Sequence, residues 1–142
     1  MKVVSYRPDH LRRLALQERQ ADLARFIGRT DYAEKVGEAG PAWSAMVGEE
    51  PIACAGFHFP WEGRAVAWAV LSQSAGRHML ELTRGVKRAL ENCPAERIEA
   101  QVLASFGPGL RWAAALGFRP EGLLRRFCRG EDYEAFVLLK GI

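Results

Sequence analysis

The stretch LSQSAGRHML, residues 71–80, decides how this chain is read. It joins the small and apolar run AVAWAVL (65–71) to a helical pattern through Gln73-Ser74-Ala75-Gly76-Arg77-His78. Upstream, Ala65, Ala67 and Ala69 alternate with Val66, Trp68 and Val70, the period of a strand. Downstream, Met79, Leu82, Val86, Ala89, Leu90 and Cys93 share one stripe, and Arg84, Lys87, Arg88 and Glu91 lie largely off it. This predicts an amphipathic helix over residues 78–93, stopped by Pro94. Two readings of the junction follow. It is an ordinary capped helix, with Ser74 as the cap, or it is a helix N-terminus kept free for an anion. Such a terminus offers unpaired N–H groups and the positive end of the macrodipole, and a pyrophosphate fits it. Gly76 allows close approach and Arg77 adds a charged donor.

Working outward, Lys2–Arg7 reads as a short strand, and Pro8-Asp9 opens a helix with Asp9 as its cap. Leu16, Leu23 and Ile27 recur on one helical face that Gly28 ends, and a short helix falls within Asp31–Ala39. Ala42–Val47, Ile52–Phe59 and Ala65–Ser72 are strands joined by two short turns, an antiparallel meander. Beyond the central helix come a strand at Arg97–Ala104, a short helix at Leu110–Leu116 ended by Gly117, and a hairpin. The hairpin pairs Leu123–Cys128 with Tyr133–Leu139. The predicted fold is a single α+β domain over residues 1–142, with a mixed, mostly antiparallel sheet and helices on its faces.

The chain has 142 residues, 49% hydrophobic and 26% charged, enough for one sizeable core. No apolar run approaches the roughly 20 residues that span a bilayer. The N-terminus lacks the pattern of a signal peptide, so no membrane partner is expected. Cys54, Cys93 and Cys128 are an odd, widely spaced set that supports neither a disulfide framework nor a zinc site. They read as buried thiols of a cytoplasmic protein, and no metal is expected. The net charge of +3 permits an anionic ligand, but the basic residues are interleaved with acids and no nucleic-acid partner is expected.

The element order, the 73–78 loop and the stretch RIEAQVLASFGPGLRWAAALGFRPEGLLRRFCRGEDYEAFVLL (97–139) resemble the GNAT acetyltransferase superfamily. The resemblance is strongest over residues 64–140, and its C-terminal end looks like the type that acetylates ribosomal-protein N-termini. GRHML, RIEA and RWAAALGF also look like phage-encoded GNAT-like proteins, some of them labelled internal virion proteins. The resemblance implies a GNAT-like acyl-CoA N-acyltransferase fold with acetyl-CoA as co-substrate, and a small amine or a protein N-terminus as acceptor. It also implies an acyl-CoA loop at Gln73, Ser74, Ala75, Gly76, Arg77 and His78, with His78 where the family has Gly or Ala. The backbone of Ala69, Val70 and Leu71 would pair with the pantetheine arm. A homodimer through edge strands is a further expectation.

Acetyl transfer to an amine needs a base for the ammonium proton and an acid for the leaving thiolate, but no enzyme nucleophile. The family's usual Tyr acid falls at Ala113, and the usual Asn of the fifth strand falls at Phe106. For the base the candidates are His58 late in the third strand, Glu62 on the following turn, and Glu99 in the fifth strand. The loss of the Tyr, together with His78 and the phage-like resemblance, supports the alternative of a catalytically degenerate GNAT-fold protein that acts as a structural or interaction component. The aromatic series Phe57, Phe59 and Trp61 alternates along one strand face. It reads as core, as the wall of a pocket, or as a protein interface.

Overall fold

The computed structural model describes residues 1–15 and 26–141. The elements run β1 (Lys2–Ser5), α1 (Pro8–Arg12), α2 (Tyr32–Glu38), β2 (Ala42–Val47), β3 (Glu50–Trp61) and β4 (Arg64–Leu71). A 3-10 helix (Gln73–His78) leads into α3 (Met79–Asn92). β5 (Arg97–Leu103), α4 (Gly107–Ala115), β6 (Arg119–Cys128) and β7 (Glu131–Leu139) follow. The strands form one sheet in the order β1-β2-β3-β4-β5-β7-β6. β4 and β5 pair in parallel, whereas β1/β2, β2/β3, β5/β7 and β6/β7 are antiparallel. This is the mixed, mostly antiparallel α+β sheet expected from the turn spacing. Of the predicted first helical face, Ile27 is 2% exposed, while Leu16 and Leu23 lie outside the described residues.

By its contacts the chain divides into two compact units. The first comprises Met1–His58 with Trp68–Arg84, and the second Phe59–Ala67 with Gly85–Ile142. In the first unit, side-chain alternation along the strands serves two apolar clusters. Cys54 and Val70 pack with Leu11 of α1 and Ala33 of α2. Ala45, Ala53 and Leu71 pack with Ala75, Met79 and Leu82 at the start of α3. Helices therefore cover both faces of these strands. Beneath α1 a buried polar chain runs from His10 Nδ1 to Ser44 Oγ (2.8 Å) and on to Cys54 Sγ (3.6 Å).

In the second unit β5 and β7 pair from Arg97↔Leu139 to Leu103↔Tyr133, with Ile98, Phe136 and Val137 buried. The Lys140 ammonium donates to the carbonyls of Leu90, Glu91 and Cys93, which closes the C-terminus of α3 with a cation. Arg129 and Gly130, with φ of 50° and 75°, make the tight turn between β6 and β7.

The local expectations need several corrections. β1 ends at Ser5, not Arg7. Asp9 does not cap α1: Pro8 occupies the first turn, Arg7 is the cap residue, and Asp9 pairs with Arg7 (3.2 Å) and Arg13 (3.5 Å). α4 begins at Gly107, because Pro108 suits a helix's first turn. β6 begins four residues earlier than apolar content suggested, at Arg119, because pairing with β7 (Arg119↔Val137, Pro120↔Phe136) and not a buried face holds it there.

Gly40 makes the tightest backbone approach. A Cβ there would lie 2.1 Å from the Phe57 carbonyl oxygen. Gly40→Ala is expected to cost at least about 2 kcal/mol in urea denaturation. Gly122→Ala, with nothing within 4 Å of its added Cβ, should change stability by less than about 0.5 kcal/mol. Equal losses in the two variants would refute this packing account.

Candidate functional site

The junction at residues 71–80 lies wholly in the first unit. Ser72 ends β4 and is 3% exposed. Its hydroxyl accepts from the Ser74 N–H at 3.0 Å and lies 2.7 Å from the Ser74 hydroxyl, and its carbonyl accepts from the Ala75 N–H at 3.2 Å. The cap is therefore Ser72, not Ser74. Both serines stand two residues apart, and only the backbone path shows which one precedes the turn. The Gln73 N–H donates to the Ala15 carbonyl at 2.7 Å, and the Met79 N–H to the Gly76 carbonyl.

Whether an acyl-CoA pyrophosphate fits here is a question about donors and space. Space is present: an added Cβ on Gly76 meets nothing within 4 Å. A charged donor is present, because Arg77 is exposed. His78 is half-buried, with Nδ1 3.9 Å from the Glu81 carboxylate, so its ring leans along the helix. The amides of Gln73, Ser74 and Ala75 do not fit, since each donates to an acceptor of the chain itself. The loop fits the group through Gly76 and Arg77, and not through its first backbone donors. Upstream, Ala69 is exposed, Val70 is 5% exposed in the cluster with Leu11, and Leu71 packs beside Met79.

The catalytic candidates are distributed between the units. His58 is exposed near the end of β3 in the first unit. Glu62 and Glu99 belong to the second. Glu62 is exposed on the turn after β3 and lines a cavity with Phe59 and Trp61. Glu99 is held fast. Arg64 donates to both its oxygens at 2.7 and 2.8 Å, and Arg97 adds a bond of 2.7 Å. Hydrogen bonding from Arg64 pulls its carboxyl down to about 2, against the opposing effect of burial and with help from Arg97. A carboxylate so engaged is a poor proton acceptor at neutral pH. Neither charge pattern nor spacing in the sequence pairs Glu99 with Arg64, because the partners meet only through the parallel β4/β5 register, Val66↔Glu99.

Ala113, at the place of the usual Tyr, is 4% exposed inside α4, and Phe106 is the residue that precedes that helix. Cys54 is 1% exposed, and burial pushes its thiol up to about 11, so it stays protonated at neutral pH. Cys54, Cys93 and Cys128 are all free thiols. Among the described residues, no group of three His, Cys, Asp or Glu side chains is placed to hold a metal ion, and no helix is long and apolar enough to cross a membrane.

No family model and no curated protein matches the sequence. Solved structures do match the fold. An N-acetyltransferase from Staphylococcus aureus is similar at a TM-score of 0.74 and 11% identity, over 97% of this chain and 96% of the other. A GNAT-family acetyltransferase from Bacillus anthracis is similar at a TM-score of 0.68 and 15% identity, over 96% and 93%. A spermidine N-acetyltransferase variant from Vibrio cholerae is similar at a TM-score of 0.66 and 11% identity, over 98% and 95%. The chain has the fold of the GNAT acetyltransferases, along nearly its whole length.

Two measurements test this account of the site. Ser72→Ala is expected to lose about 1 kcal/mol of stability through the missing cap. An unchanged urea midpoint would show that the Ser72 hydroxyl does not close the turn. Glu99 stabilises the fold fully above about pH 4.5, its ordinary carboxyl value, and the contribution is lost as pH falls towards about 2. Urea titrations should therefore show stability falling across that window, with a smaller fall in Glu99→Gln; identical pH profiles would refute the assignment.

Proposed function

We propose that the chain is an acyl-CoA-dependent N-acyltransferase of the GNAT type that passes an acetyl group directly to an amine. The observation that carries this reading is the open space over Gly76, beside the exposed Arg77, where β4 turns into α3. The pyrophosphate of acetyl-CoA would lie against Gly76 and Arg77, with the loop from Gln73 to His78 around it. The backbone of Ala69, Val70 and Leu71 would pair with the pantetheine arm, past the three residue pairs of the β4/β5 ladder.

In the transfer, the neutral amine nitrogen attacks the thioester carbonyl. The C–N bond forms, the C–S bond breaks, the amine gives up a proton and the thiolate takes one. No covalent intermediate on the protein is needed, in keeping with a buried Cys54 whose thiol is raised to about 11. His58 is the base candidate whose ring is exposed and therefore accessible. An amine acceptor, either a small amine or a protein N-terminus, accords with the Vibrio cholerae neighbour, whose name specifies spermidine.

A second reading is a GNAT-fold protein without transfer activity, acting through protein contacts. It is favoured by the buried Ala113 and by the inward amides of the loop. Calorimetric titration with acetyl-CoA separates the two. Saturable binding is expected, and at least about tenfold weaker in Gly76→Asp, where a carboxylate would face the phosphates. The open space at Gly76 lets that variant fold. A folded wild-type protein that takes up no acetyl-CoA would overturn the acyltransferase reading in favour of the second.

A further inference from the structure

The aromatic series of β3 divides in the structure. Phe57 is 5% exposed and stands edge-on to Trp43 at 6.1 Å, so it belongs to the core of the first unit. Phe59 and Trp61 do not share that role. They are 37% and 64% exposed, and in the second unit they line a cavity of about 400 Å³ together with Glu62, Gly63, Pro94 and Ala95. The cavity opens to solvent on the side of Trp61, so it is a wall for part of a small molecule and not an enclosure.

Among the described residues, the charged side chain that lines the cavity is acidic, Glu62, and no Lys or Arg lines it. Gly63 forms part of the wall, and a Cβ on it would lie 3.5 Å from the Glu96 carboxylate, so a second acidic group stands just behind. The cations close by are engaged: the Lys140 ammonium is held by the carbonyls of Leu90, Glu91 and Cys93, and the arginines are ion-paired. Arg64 and Arg97 share Glu99 and Glu121, two cations against two anions. Glu62 and Glu96 add negative charge to that balance. The Trp61 ring is also held in place: the Arg64 guanidinium lies over it at 4.5 Å from the centroid, and Arg64 is itself fixed by two bonds to Glu99. An exposed indole fixed in this way offers a preorganised π surface. A cation already uses it, as expected where the ring quadrupole attracts positive charge.

We propose that this cavity binds a small organic ammonium ion, with its apolar body against Phe59, Pro94 and Ala95 and its positive centre between the Trp61 ring and the Glu62 carboxylate. The site contains none of the residues assigned to acetyl-CoA, shares Glu62 with the base candidates, and is tested by binding alone, without acyl transfer.

The test is a titration of the full chain with choline, without acyl-CoA, followed by NMR shifts of the backbone amides of residues 59–63. The comparison ligand is dimethylbutanol, the uncharged carbon isostere of choline. Saturable shifts with choline are expected, with the isostere at least about tenfold weaker. Trp61→Ala should weaken choline by about tenfold, and Phe59→Ala should weaken it too. Glu62→Gln should weaken it by about threefold and reduce its salt dependence. Trp61 and Glu62 are exposed, so these variants keep the fold. Absence of saturable shifts in the wild-type protein overturns the proposal. So does equal binding of the isostere, which would mark a merely apolar pocket, or choline binding that Trp61→Ala leaves unchanged.

Discussion

The packing of Trp68 over Gly56 holds the centre of the first unit together. A Cβ on Gly56 would lie 2.9 Å from the Trp68 indole nitrogen and 2.7 Å from the Pro41 carbonyl, so only glycine admits the ring at this level of the sheet. The indole N–H is buried there without a hydrogen-bond partner among the described residues, a placement that costs on the order of 1–3 kcal/mol. What offsets it is the packing around the ring: Tyr6 stands edge-on to Trp68 at 5.7 Å, and the cluster of Leu11, Ala33, Cys54 and Val70 closes round it. A one-residue slip of β4 would carry Trp68 and Val70 to the opposite face and Leu71 away from Met79. Register at this strand thus sets where β4 ends and where the turn at Ser72 begins.

Electrostatics plays the comparable part in the second unit. Arg64, Glu99, Arg97 and Glu121 form a continuous chain of ion pairs along the first residues of β4, β5 and β6. Such a network fixes geometry because each charged group is already satisfied, and removing Glu99 would leave the half-buried Arg64 without its partner. It also changes the chemical meaning of Glu99, from a free carboxylate near the end of a list of bases to a clamp between two strands. The same clamp orients Arg64 over Trp61, so one guanidinium both pairs with Glu99 and covers an exposed indole.

The loop from Gln73 to His78 illustrates how a fold and a site can diverge. Its place in the chain, its open glycine and its arginine suit a phosphate ligand. Its first amides are closed by Ser72 and Ala15. Small differences in acceptor choice decide whether such a turn is a binding site or a capped helix, because each backbone N–H makes one strong bond and the competing acceptors are similar in strength.

Much of the fold was legible from local pattern. Alternation marked β4, short turns marked the meander of β2, β3 and β4, the stripe from Met79 to Cys93 marked α3, and Arg129-Gly130 marked the last hairpin. These features depend on residues near one another in the chain, so periodicity and turn chemistry determine them, and the likeness of 73–78 and 97–139 to a known superfamily came from the same local record. Partnership across the chain was not legible. That Ser72 caps in place of Ser74, that Arg64 claims Glu99, that Phe57 is core while Phe59 and Trp61 wall a cavity, and that Lys140 closes α3 were settled only in three dimensions. The physical reason is common to all four: which donor meets which acceptor, and which ring is covered, depends on strand register and chain crossings between residues far apart in sequence, and similar side chains compete for each role until the tertiary structure selects one.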